Sequence, residues 1–420
     1  MKVTLVATTK PADGNEFVED GNLSKQAMVF AGRNSGICYM SDDYFSEKAQ
    51  DVEGCIKRAN MNAKSGHYSV FGHYHVTLLL EGVPKIIAMI LNNLTVYNTS
   101  EKSARYTMMK PATDLESDLY IKWKDKIEGI LTALEVPNAT KLAQENSRYM
   151  ISVTTPTVMS YTIPYNRLLL LLKWIDNFTT DDLPLILLLF KDTNHQMFNL
   201  FESIKEKLEA LKIQIMEACN FTSEDLVLEE HKGLAINLFG DLTYSNYLFD
   251  DKFADNKEYY GNVYESHYKA TFACVAQLQR HRALDYRIKF LRNDNIFVPE
   301  FIQNTPLEKE WRSDMSSLID EGITPQGMLL SVTETGSFED FVLKTKERLC
   351  SRAQLETMKI TGRQMLKFYG HKDNLSNNNR NVLKDITAPN KGIVIPRCCF
   401  HRYICKEPCP IGADGLKRNY

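Results

Sequence analysis

The residues best equipped for chemistry sit in one short stretch, Gln277-Leu278-Gln279-Arg280-His281-Arg282. It closes a mostly apolar run, Ala270–Ala276, whose spacing suits a buried helix. Two guanidiniums around an imidazole are costly to bury without an anionic partner. At the C-terminal pole of a helix the same residues could form a solvated basic end that binds nothing. A phosphate clamp is the alternative, and these residues alone leave both open. The tail offers a second candidate, Cys399, Cys405 and Cys409 spaced Cys-x5-Cys-x3-Cys around His401. That is not the spacing of a standard zinc finger, so free or mutually packed thiols are expected there, with no metal.

The chain that must position these groups has 420 residues, long for one domain and comfortable for two. Its net charge of −3 argues against a general nucleic-acid surface, so phosphate recognition would be local and no nucleic acid polymer is an expected partner. The Leu-rich runs Leu168–Leu172 and Leu183–Phe190 are shorter than a membrane span, so no membrane partner is expected. Met1–Val6 reads as a first strand and not as a signal peptide. Nine Cys, mostly scattered in apolar contexts, read as reduced thiols, and the expected compartment is the cytoplasm.

Along the chain, a helix is predicted around Asp51–Met61, a strand over the alternating run Tyr74–Leu80, and a buried helix over Lys85–Leu91 ending at Asn92-Asn93. A charged helical region follows at Asp114–Leu134, then a β-rich run, Ile151–Ile163. A long amphipathic helix over 198–218 closes a first domain near residue 222. The second unit opens with strand-like Leu226–Leu238 and a loop-rich stretch to Tyr264. A polar middle, Asn293–Gly322, separates the Arg-His-Arg helix from a final helix reaching Tyr369. His371–Asn390 is Asn-rich and reads as a flexible linker before the Cys-bearing tail.

Gln-x-x-Arg-His-Arg on a helix resembles the signature of the flavin-dependent thymidylate synthases, in which a Ser and then x-Arg-Tyr follow. Here Phe290 stands at the Ser position, eight residues after Arg282. Glu101-Lys102-Ser103-Ala104-Arg105-Tyr106 is similar to the missing half, and counting back from Ser103 puts Asn93-Leu94-Thr95 where Arg-His-Arg would be. Upstream, Gly66-His67-Tyr68-Ser69-Val70-Phe71-Gly72-His73 resembles the family's Gly-His-x-Ser-Val-x-Glu-His, with Gly72 in place of Glu. Glu145-x-x-Arg148-Tyr149 is similar to the family's acidic-x-x-Arg-Tyr step, and Asn166-Arg167-Leu168 to its Asn-x-Arg-x-Leu flavin contact. The late signature Arg-x4-Ala-Gln-x-Glu is matched by Arg348 through Glu356. In the second unit Gly327 aligns with the Arg of Arg-Tyr, and Ser337-Phe338-Glu339 with Asn-x-Arg. In the first, Asp176 aligns with the late Arg.

The resemblance implies an α+β fold of two related units, each an antiparallel sheet packed with helices. Residues 1–222 would form the first thymidylate-synthase-like unit, 223–372 the second, and 373–420 the linker and tail. Each unit keeps one side of a site that family members share between subunits, which implies a fused tandem duplication with one composite site retained. Arg348 is then the catalytic candidate, fixing the anion that develops on the pyrimidine as C6 accepts hydride. Substrate contacts fall to Gln277, Arg280, Glu101, Ser103, Ala104, Arg105 and Arg148. Flavin contacts fall to Arg280, His281, Arg282, Glu101, Arg167, Asn166 and His73. The implied cofactor is FAD, with dUMP as substrate, and NADPH and 5,10-methylenetetrahydrofolate as co-substrates. The implied assembly is a homodimer, a pseudo-tetramer of units. The implied reaction is reductive methylation of dUMP to dTMP. A related pyrimidine hydroxymethylase, or an inactive nucleotide- or flavin-binding homologue, stays open beside it.

Overall fold

A computed structural model describes residues 1–19, 21–39, 43–93, 97–104, 107, 109–222, 258–291, 295–388, 392–406 and 416–417. The elements are β1 (Lys2–Thr8), α1 (Leu23–Tyr39), α2 (Glu47–Gln50), α3 (Val52–Lys64), β2 (His75–Pro84), α4 (Lys85–Leu91), β3 (Asn98–Glu101), α5 (Asp114–Ala133) and α6 (Ala139–Ser147). There follow β4 (Pro156–Pro164), α7 (Tyr165–Asn177), α8 (Leu183–Phe190), α9 (His195–Cys219), β5 (Val263–Thr271), α10 (Phe272–Leu278) and β6 (Asp285–Phe290). Last come α11 (Pro306–Asp320), β7 (Leu329–Ser337), α12 (Phe338–Arg348), α13 (Leu355–Gly370) and α14 (Asn377–Asp385). The fold is the expected mix of antiparallel sheets packed with helices. Arg105, the strand-like 226–238 and Cys409 lie outside the described residues.

The compact units are not consecutive in sequence. One comprises residues 1–102 and 156–236, the other residues 103–155 and 237–420. Residues 1–222 therefore do not close on themselves as one piece. The physical reason is the α5–α6 excursion, whose Trp123, Ile127 and Leu131 are fully buried in one cluster with Trp311, Met315 and Leu318 of α11. The Trp123 and Trp311 rings meet edge-on at 4.8 Å. Lys122 and Lys126 reach Glu310 and Asp314 beside them.

In the first unit four antiparallel strands take the order β1-β2-β4-β3. Val76, Leu78, Leu80, Met159, Tyr161 and Ile163 are all buried on one face of β2 and β4. Both strands end in Pro and run directly into a helix, β2 into α4 and β4 into α7. Helix α4 buries six of its seven residues, Ile86 to Leu91, so tertiary packing and not propensity holds so short a helix. Helix α9 turns Leu200, Ile204, Leu208, Leu211 and Ile215 inward, each burial favouring the fold by about 1.5–3 kcal/mol.

In the second unit the order is β5-β7-β6, again antiparallel. Strand β5 runs into α10 and β7 into α12, as β2 and β4 do into α4 and α7. The registers agree as well. Asn98 faces Thr162, two residues before the end of β4, and Asp285 faces Thr335, two before the end of β7. His75 faces Pro164 and Val263 faces Ser337. This correspondence sets Glu101 opposite Met159 where Ile288 lies opposite Val332, so Ser103 matches Phe290, as motif counting has it. It also revises two alignments. Counted from the first helical residue, Asn166 matches Glu339 and not Ser337, and Arg348 matches Ile175 and not Asp176.

Two polar stretches are more ordered than their composition suggests. The middle, Asn293–Gly322, contains α11, whose Trp311, Met315, Leu318 and Ile319 line one buried face. The expected linker contains α14, with Leu383 and Ile386 buried and Asn379 bonded to Asn262 at 3.1 Å. Farther on, Arg397 N donates to Leu349 O at 2.7 Å. Residues 373–406 thus pack as part of the second unit wherever they are described. Among the described residues no helix is long and apolar enough to cross a membrane.

Candidate functional site

The late signature and the Gln-x-x-Arg-His-Arg stretch come together in the second unit, and Arg148 joins them. Helix α10 is placed by Thr271, whose hydroxyl caps Cys274 N at 3.0 Å. Glu356, on the first turn of α13, takes the Thr271 N–H at 2.7 Å and the Thr271 hydroxyl at 2.7 Å. One carboxylate thereby fixes the end of β5 against α13, and with it the direction of Gln277. Burial pushes the Glu356 carboxyl up, against these bonds.

Arg148 arrives on a short helical turn after α6. Its neighbour Tyr149 backs onto Gly327, where Gly327 N donates to Tyr149 O at 2.9 Å. A Cβ at Gly327 would come within 2.9 Å of Tyr149 Cβ, closer than side chains tolerate. The residue that replaces the second unit's Arg is thus small because the segment bearing Arg148 occupies its space.

Gln354 links these groups. Its Oε1 accepts from the Arg148 guanidinium and from the Gln277 amide. Its Nε2 donates to Tyr149 OH at 2.6 Å, and Tyr149 OH donates on to Glu356 Oε2 at 3.2 Å. Arg148 is 4 % exposed, Gln277 7 % and Gln354 1 %. Among the described residues Arg148 makes no ion pair. Its Nε and Gln277 Oε1 are buried without hydrogen-bond partners. A buried cation whose direct bond goes to a neutral oxygen, with the Glu356 carboxyl reaching it only through Tyr149 and Gln354, is incompletely compensated, which suits a site built to receive an anion.

Arg348 closes α12 and donates to Gln277 O at 2.9 Å, satisfying a carbonyl in the last turn of α10. Its Nε is buried and unpartnered, and Glu347 lies 3.7 Å away. Burial pulls the Arg348 guanidinium down from its ordinary range. His281 is buried just past α10, and desolvation, helped by Arg348 and Lys344, pushes its imidazole down to about 2, so it is neutral in ordinary buffers. Arg280 and Arg282 are exposed beyond the helix end. Beneath this group Lys344 and Glu334 form a fully buried pair at 2.6 Å, with Tyr264 and Tyr268 hydroxyls donating to the carboxylate.

The remaining sequence candidates have surroundings of their own. Ala104 packs on the small cluster of Met109, Tyr120 and Ile151, and Ser103 O accepts from Thr107. In the first unit Glu101 is 1 % exposed at its side chain and pairs with Lys85 at 2.6 Å. Asn166 donates to Tyr68 O at 3.2 Å, while its Oδ1 is buried without a partner. A Cβ at Gly72 would lie 3.5 Å from Asn166. Arg167 is half-buried on the same turn and His73 is exposed. Asp176 pairs with Lys212 at 2.5 Å near the surface. Cys350, Cys398 and Cys405 line a shallow cleft with Arg352 and Arg397. Among the described residues no group of His, Cys, Asp and Glu is arranged to hold a metal.

Gln354, Glu356 and Tyr149 were not singled out by sequence reasoning as site residues. The signal was present, since Gln354 and Glu356 are two letters of the late signature and Tyr149 follows Arg148.

Residues 18–175 match the family model described as thymidylate synthase complementing protein. That stretch contains the Gly66–His73, Arg148-Tyr149 and Asn166-Arg167 steps that carry the family resemblance. No curated protein matches the chain by sequence. Among solved structures, a flavin dependent thymidylate synthase ThyX from Helicobacter pylori complexed with FAD and dUMP is 13% identical, with a TM-score of 0.31, covering 55% of this chain and 98% of that one. A UMP/dUMP methylase PolB from Streptomyces cacaoi bound with 5-Br dUMP is 15% identical, with a TM-score of 0.27, covering 40% of this chain and 74% of that one. The family match ends inside α7, so the buried donors contributed by Gln277, Arg348 and Gln354 lie beyond it.

Proposed function

We propose that the chain is a flavin-dependent thymidylate synthase, methylating dUMP reductively with methylenetetrahydrofolate and reduced flavin. The observation that carries this reading is Arg148, a buried guanidinium with no direct ion pair among the described residues, converging with the Gln277 amide on one oxygen. A nucleoside monophosphate offers the charge such a cradle lacks. Arg348 would stabilise charge developing on the pyrimidine. Arg105, Ser103 and Arg280 remain proposed substrate contacts.

Two observations support FAD at the residues proposed for it. Asn166 presents a buried acceptor with no partner, and Arg280 presents an exposed guanidinium without an ion pair among the described residues. Asn166, Arg167, His73, Arg280, His281 and Arg282 remain the proposed flavin contacts. When bound and reduced, the flavin supplies the hydride. A homodimer is the proposed assembly, measured by mass in solution.

The test is a flavin absorbance spectrum of the purified protein, followed by product mass after incubation with dUMP, methylenetetrahydrofolate and NADPH. A methyl product supports the proposal and a hydroxymethyl product redirects it to the related transfer. A second reading, binding without turnover, is favoured by Glu101, whose carboxylate is already engaged by Lys85. Flavin and dUMP binding without any product would select it.

A further inference from the structure

The cradle in the second unit is already filled by a side chain of the protein. Arginine only donates, so the Gln354 atom facing Arg148 must be its carbonyl oxygen. The Gln277 atom facing that same oxygen must then be its amide nitrogen, and both bonds end on Gln354 Oε1. The other end of Gln354 is fixed by Tyr149 and, at 3.5 Å, by Glu356. Every neighbour therefore agrees on one amide orientation. Two donors, one of them charged, converge on a single buried oxygen. That is the arrangement a phosphate oxygen would meet, with a neutral carbonyl in its place.

We infer that Gln354 is an internal stand-in for an oxygen of the anionic ligand: it holds Arg148 and Gln277 aimed at one point and must release them for the ligand to bind. The inference rests on the reading of this site as one for a nucleoside monophosphate. A carbonyl is a weaker partner for a guanidinium than a phosphate oxygen, because the phosphate adds an opposite charge and can meet the guanidinium fork with two oxygens. The exchange thus favours the ligand, while the empty site keeps its donors partly satisfied. Gln354 is a positioning residue that tunes affinity through Arg148 and Gln277.

The test compares Gln354→Met, Gln354→Ala and Gln354→Glu in the full chain, by calorimetric titration with dUMP and with inorganic phosphate. Met fills the space and cannot occupy Arg148 as the amide does, and Ala removes the competitor altogether. Both variants should bind dUMP severalfold more tightly than the wild type. Glu nearly preserves shape but offers Arg148 a carboxylate, so dUMP affinity should fall at least tenfold. Thermal unfolding of each variant separates these effects from loss of fold, and Gln354→Glu, being nearly isosteric, keeps the test alive if the others unfold. Met and Ala variants that fold yet bind no more tightly than the wild type overturn the inference, as does a Glu variant that binds as the wild type does. A wild type that binds neither dUMP nor phosphate overturns the nucleotide reading itself, whatever the variants do.

Discussion

Helix α7 leaves the end of β4 and helix α12 leaves the end of β7, at matching positions in sheets that share three strands in the same order, β2-β4-β3 and β5-β7-β6. Their interiors differ. Helix α7 buries Leu168, Leu169, Leu171, Leu172 and Ile175, and Asp176, near its end, turns outward to Lys212. Helix α12 buries Phe338, Phe341 and Val342 in its first turns, then Lys344 and Thr345, and ends on Arg348. The position that is Ile175 in one helix is a half-satisfied guanidinium in the other. The scaffold tolerates both, so what distinguishes them is whether buried charge is matched from within. In α12 Lys344 is matched by the buried Glu334, and the guanidinium one turn later has only the exposed Glu347, 3.7 Å away.

Breaking the matched charge should produce the largest effect on stability. Lys344→Met leaves Glu334 buried with its two tyrosines and Gln364 but no cation, and is expected to cost about 3–5 kcal/mol in denaturant unfolding. Replacing both partners together, Lys344→Met with Glu334→Leu, should recover part of that loss. A single variant as stable as the wild type would mean the pair is not formed.

The weakly matched charge should govern chemistry instead. Arg348→Lys keeps a cation but loses the planar fork that reaches Gln277 O, so turnover should fall roughly 100- to 1000-fold while dUMP affinity changes far less. Wild-type turnover in this variant would remove Arg348 from the proposed mechanism.

Much of this contrast could be read from the chain, and the limits have physical causes. Lys85–Leu91 was legible to the residue because it is an apolar run between a Pro and two Asn. The motif count that matched Ser103 to Phe290 agrees with strand register, since both follow the same spacing. Helix α11 was hidden by its charges: only Trp311, Met315, Leu318 and Ile319 face inward among Lys, Glu, Arg and Asp. Strand β6 carries a clear alternation, Tyr286, Ile288 and Phe290 in and Asp285 and Arg287 out, and lay too close to the Arg-His-Arg stretch to be read apart. The grouping of 103–155 with later residues is a matter of long-range contact, which no local pattern encodes. Gln354 belonged to a legible signature, but its role depends on Arg148, 206 positions away.

His281 sharpens the comparison through pH. Its match by count in the first unit, Leu94, lies outside the described residues, so the test is confined to the second unit. The imidazole is depressed to about 2 in the fold, against an ordinary value of 6.5. Between those limits the unfolded chain binds a proton that the folded chain refuses, so stability rises with pH and is lost as pH falls below 6.5. From pH 6.5 to 5 the loss from this one group should be about 1.5 kcal/mol. His281→Gln should flatten that part of the profile, measured by denaturant midpoints without ligand. An unchanged slope would show that His281 titrates normally.

The smallest effect is expected at Asp176, which aligns by motif with Arg348 although position on the helix assigns that place to Ile175. Its bond to Lys212 joins side chains that are 46 % and 22 % exposed, where water screens the attraction and ordering two flexible groups offsets it. Asp176→Asn should therefore shift stability by less than about 1 kcal/mol and leave dUMP turnover near the wild-type rate. Ile175→Ala, one residue earlier and fully buried, should cost about 2–5 kcal/mol with no specific loss of turnover once stability is restored. If Asp176→Asn instead cut turnover as deeply as Arg348→Lys, the first unit's helix would carry chemistry of its own, and the division of labour between the two helices would have to be abandoned.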